Sequence, residues 1–79
     1  MKIPRDLSGQ QLADTLCRRW GYQRLHQTGS HIILQTADPT HHRIAIPSHH
    51  ALKLGTLNSI LRSIATHKAV SREALLATL

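Results

Sequence analysis

A chain of 79 residues supports one domain, residues 1–79, and leaves no room for a second core. Ten Lys and Arg against four Asp and Glu, with a formal charge of +6, favour contact with a polyanion such as RNA, because each neutralised phosphate releases condensed counterions. An acidic protein partner satisfies the same charge. The single Cys17 excludes an intrachain disulfide and a multi-cysteine zinc site. The start, "MKIPRDLSGQQ", lacks the apolar core of a signal peptide and no run reaches membrane-spanning length, so the expectation is a soluble cytoplasmic protein with no membrane contact.

In chain order, "LSGQQLADTLCRRWGY" predicts the first helix. Ser8 is the N-cap and Gln11 completes a capping box, with Leu7 and Leu12 placed for a hydrophobic staple. Leu12, Leu16 and Trp20, with Ala13 and Cys17 beside them, form one apolar stripe. Gly21 suits the left-handed position after the helix.

Three strands follow: "YQRLHQT", "HIILQT" and "HRIAIP". Gly29-Ser30 fits a two-residue type II′ hairpin, "ADPTHH" forms the second turn, and Pro47 ends the third strand. "GTLNSILRSIATH" predicts a second helix capped by Gly55 or Thr56, with Leu57, Ile60, Leu61 and Ile64 on one face. "VSREALLATL" predicts a short last helix capped by Ser71. The order is α-β-β-β-α with a small terminal helix. The simplest architecture is an α+β fold, a three-stranded antiparallel sheet with helices on one face and the other face open.

With Gly29 and Ser30 as the loop, Thr28 pairs with His31, Gln27 with Ile32 and His26 with Ile33. Side-chain alternation then puts Leu25, Ile32 and Leu34 on the core face. The open face receives Tyr22, Arg24, His26, Thr28, His31, Ile33 and Gln35.

At these residues the chain resembles the HicA toxins, the small mRNA interferases of bacterial toxin–antitoxin pairs. The resemblance rests on "GYQRLHQTGSHIIL" and "RIAIPSHHALKLGTLNSIL": Gly21-Tyr22, Gly29-Ser30-His31, Pro47-Ser48-His49, and Lys53 leading into Gly55-Thr56-Leu57 and Ile60. It implies a fold like the double-stranded RNA-binding domain, metal-free endoribonuclease activity on mRNA with no cofactor, and neutralisation by a HicB-type antitoxin. It also implies that His31 is the catalytic histidine. The chain departs from many members in having His26 in place of an Arg, Ile32 after the histidine, and no aromatic residue in the last helix.

Metal-free RNA cleavage needs a base for the 2′-OH, an acid for the leaving oxygen and positive charge at the phosphate. Imidazole serves either proton role because it titrates near neutral pH. His31 is the principal candidate. His26, Ser30 and Gly29 are candidates for support: His26 as a second acid/base group, Ser30 as a phosphate donor, Gly29 as the point of close substrate approach. Arg24, Arg43, Lys53 and His49 are candidates for RNA contact, Lys53 because it precedes a helix N-terminus. The pairs His41-His42 and His49-His50 do not make a metal site, since adjacent strand residues point to opposite faces. A non-catalytic RNA-binding module and a pure interaction protein are the alternatives.

Overall fold

A computed structural model describes residues 6–79. Residues 1–5, part of the start read above as leaderless, lie outside the described residues. The elements run α1 (Gly9–Arg19), β1 (Gln23–Thr28), β2 (His31–Thr36), β3 (His42–Pro47), α2 (Leu54–Lys68) and α3 (Arg72–Leu76). The strands form one antiparallel sheet in the order β1-β2-β3, so the α-β-β-β-α reading is the observed fold. Among the described residues, no helix is long and apolar enough to cross a membrane.

α1 begins as its sequence dictates. The Gln11 amide donates to Ser8 Oγ at 3.0 Å, and Gln11 Oε1 accepts from the Ser8 amide at 2.9 Å, which satisfies two of the helix's orphan donors. It ends at Trp20, and Gly21 takes φ +74°, where a side chain would be strained. Leu12, Ala13 and Leu16 face inward as one stripe and meet Ile32 and Leu34 of β2, Ile46 of β3, and Leu57, Leu61 and Ile64 of α2 in a single cluster. Burying each such Leu or Ile contributes roughly 1.5–3 kcal/mol, so the aliphatic cluster dominates a chain with almost no aromatic residues. α3 closes the cluster with Leu75 and Leu76, and Trp20 Nε1 donates to Thr78 Oγ1 at 3.0 Å just beyond it.

Two expectations need correction. Helix α2 starts at Leu54 with Lys53 as its N-cap, not at Gly55 or Thr56. The earlier start gives the buried Leu57 an intrahelical partner for its amide, the Lys53 carbonyl at 2.9 Å. The second correction concerns β1. The pairs Thr28–His31, Gln27–Ile32 and His26–Ile33 are as read, but a bulge at Leu25 shifts the register before His26. Arg24 then lies opposite Leu34, and everything N-terminal to the bulge changes face. Leu25 is accordingly exposed (39%) instead of in the core, and Tyr22 is buried (2%) instead of on the open face. Arg24 moves to the helix side, where its guanidinium pairs with Asp14 of α1 at 2.6 Å. The physical consequence is that the Tyr22 ring enters the core, where its phenol meets His42, while Leu25 is turned out.

Candidate nucleic-acid interface

Three parts of the chain converge at the hairpin end of the sheet. Gly29 turns the chain at φ +23°, a conformation that L side chains rarely adopt, and leaves open space around its Cα. Ser30's carbonyl accepts from the Ser48 amide at 2.8 Å, which ties the hairpin to the segment after β3. That segment is held in turn by α1, since the Gly9 amide donates to the His49 carbonyl at 3.0 Å and the Leu52 amide donates to the Leu7 carbonyl at 2.8 Å. Gly9 is indispensable here: a Cβ on it would fall 1.9 Å from the Pro47 carbonyl oxygen.

His31 projects from this junction. It pairs with Thr28 on one side and Pro47 on the other, and its side chain is exposed on the open face. Its Nδ1 lies 3.0 Å from Ser30 Oγ. That bond fixes the ring and leaves Nε2 as the nitrogen available to a ligand. Ser30, expected to meet phosphate, is thus engaged first with the histidine.

The other expected residues divide. His26 sits opposite Ile33 on the open face, diagonal to His31 across the hairpin. Arg43 is exposed on the same face, opposite Gln35 and toward the other end. Lys53 is exposed at the N-cap of α2, where no side chain caps the first amides. His49 is exposed in the tethered segment. Arg24 is not brought to this face, because the bulge directs it to Asp14. Of the expected residues the open face of the sheet therefore keeps Arg43, with His26 and His31.

A second cluster, which the sequence reading left without a role, lies at the opposite end on the core side. The phenol of Tyr22 and Nδ1 of His42 are 2.9 Å apart, and Ser63 Oγ lies 3.3 Å from His42 Nε2. The His67 ring stacks on His42 with centroids 4.3 Å apart, and Lys68 Nζ stands 5.2 Å from the Tyr22 ring centre. Burial, then the neighbouring His67, Lys68 and His41, push the His42 pKa below its ordinary value. Burial alone pushes the Tyr22 phenol up to about 12. A neutral His42 satisfies both neighbours, one ring nitrogen accepting and the other donating. The signal was present: His42 alternates with Ile44 and Ile46, and His67 follows Ile64 by three residues. Burial also raises the Cys17 pKa, which keeps the thiol protonated and unreactive.

The family model for the HicA toxin of bacterial toxin–antitoxin systems matches residues 13–65. The chain belongs to the HicA toxin family. No curated protein and no solved structure gives a significant match. Membership makes the chain the toxin-type component of a toxin–antitoxin pair, and the matched span runs from α1 through most of α2, including the His31 junction.

Proposed function

We propose that this HicA-family toxin is a metal-independent endoribonuclease, an mRNA interferase of the cytoplasm, whose acid/base group is His31 and whose activity a HicB-type antitoxin blocks. The observation that carries the reading is the exposed His31 with Nδ1 held by Ser30, at the junction of hairpin, Pro47–His49 segment and α1. In the reaction, the RNA 2′-oxygen attacks the adjacent phosphorus while the P–O5′ bond breaks. His31 Nε2 takes the 2′-OH proton, and a second group supplies a proton to the departing 5′-oxygen. His26, diagonal on the same face, is the residue placed to be that second group. Gly29 admits the backbone, and Arg43, His49 and Lys53 supply positive charge and donors along the RNA's path. The first amides of α2, uncapped by any side chain, add a favourable dipole beside Lys53. Arg24, paired with Asp14, belongs to the helix side and is left out of this path.

Induced expression of wild type and His31→Ala tests the reading. Wild type should arrest growth and degrade mRNA, with rescue by a co-expressed HicB-type antitoxin, whereas His31→Ala should do neither while folding normally. RNA binding without cleavage by wild type would instead establish the non-catalytic module, and unchanged cleavage by His31→Ala would overturn the mechanism.

A further inference from the structure

The open face ends, away from His31, in a cleft of about 310 Å³. Gln23, Gln35, Thr36, Asp38 and His41 provide its polar residues, beside Gly21. Its volume is at the small end of ligand pockets, roughly 300–1,000 Å³. The lining holds no Lys or Arg and one carboxylate, Asp38. The adjacent cation, Lys68, is turned to Thr36 Oγ1 at 3.1 Å and to the Asp38 carbonyl. The lining itself offers phosphate no charged donor, and Arg43 stands beside it, opposite Gln35 on the same face. The cleft suits an uncharged ring with donors and acceptors on its edge.

Gln23 and Gln35 face each other across β1 and β2 on the open side. His41 Nε2 lies 3.2 Å from Gln35 Oε1, so with the imidazole N–H donating, the Gln35 carbonyl is held and its NH2 is presented to the cleft. Gln35 stands four positions along β2 from His31 on the same face, about 13 Å at the rise of an extended strand. Between them Ile33 and Ala45 form a low apolar platform over which bases can lie. A short single-stranded segment spans that distance, and single-stranded RNA is read by the edges of its unstacked bases.

We propose that this cleft holds one nucleobase of the RNA whose scissile phosphate sits at His31, and that guanine is the base it prefers. The proposal rests on the ribonuclease reading above and gives it a specificity subsite. Guanine's N1–H and 2-amino group offer two donors to the Asp38 carboxylate, and its O6 accepts from the Gln35 amide. Uracil offers the carboxylate one N3–H flanked by two carbonyls that face it, and adenine and cytosine offer it a single amino group.

Titration of the isotope-labelled full chain with the four neutral nucleosides, followed by backbone amide shifts, tests this without requiring cleavage. Guanosine should give saturable shifts at Gln23, Gln35 and His41, binding about tenfold tighter than the other three, as one lost bidentate contact implies. Asp38→Asn should erase the preference while leaving the rest of the spectrum in place, and His31→Ala should leave guanosine binding unchanged. Equal affinity for all four nucleosides, absence of saturable shifts, or an unaltered preference in Asp38→Asn would overturn the subsite. Guanosine binding by a chain that cuts no RNA would uphold the cleft and overturn the ribonuclease reading alone. Cleavage of RNA by a chain indifferent to guanosine would do the reverse.

Discussion

The two ends of the sheet both carry histidine, and the contrast between them is instructive. At the hairpin end His31 is exposed, bonded through one nitrogen to Ser30 and open at the other. At the far end His42 is sandwiched between Tyr22, Ser63 and His67, with both nitrogens engaged and its pKa lowered by burial first and by His67, Lys68 and His41 after it. The same side chain is left open to a ligand at one end and is built into the packing at the other. Seven histidines in the sequence are therefore not seven equivalent candidates.

Breaking the far end should unfold the protein without touching the chemistry. Tyr22→Ala removes a fully buried ring and the partner of His42, and should cost about 3–5 kcal/mol of stability in denaturant melts. Cleavage per folded molecule should stay at the wild-type level. Gly9→Ala sharpens the comparison from the hairpin end. Its new methyl meets the Pro47 carbonyl, so the Pro47–His49 segment must shift, at roughly 1–3 kcal/mol measured by thermal unfolding. Unlike Tyr22→Ala, it should also slow cleavage per folded molecule, because the displaced segment anchors Ser30.

A smaller effect separates the ends by pH. A depressed His42 pKa means that the unfolded chain binds a proton more readily than the native one, so the contribution is fully present above the unfolded imidazole value of about 6.5. It is lost as pH falls through the interval between that value and the lowered folded one. Melting temperature should therefore decline from about pH 7.5 to about pH 5.5 across the ordinary imidazole range. His42→Phe should flatten that decline.

Much of this was legible in the sequence, and the losses have one source. The Ser8–Gln11 box, the Leu12–Leu16 stripe, the Gly29-Ser30 turn and the pairing of Thr28 with His31 depend on neighbours three or four residues away or on turn chemistry, which sequence displays directly. The face of His31 followed from that pairing. The Leu25 bulge did not, because alternation assumes an unbroken ladder and nothing local in "YQRLHQT" marks the extra residue. One bulge moved Tyr22, Arg24 and Leu25 together, which withdrew an arginine from the open face and created the Tyr22–His42 contact. The need for Gly at position 9 was equally hidden, since its neighbour Pro47 is distant in sequence.

The most direct test of the account is the RNA cleavage rate of purified wild type, His31→Ala and His42→Phe, each normalised to folded protein. The account predicts that His31→Ala loses roughly 10²–10⁴-fold, the contribution of a positioned acid/base group, while His42→Phe retains the wild-type rate per folded molecule. Equal losses in the two variants, or an undiminished rate in His31→Ala, would contradict it.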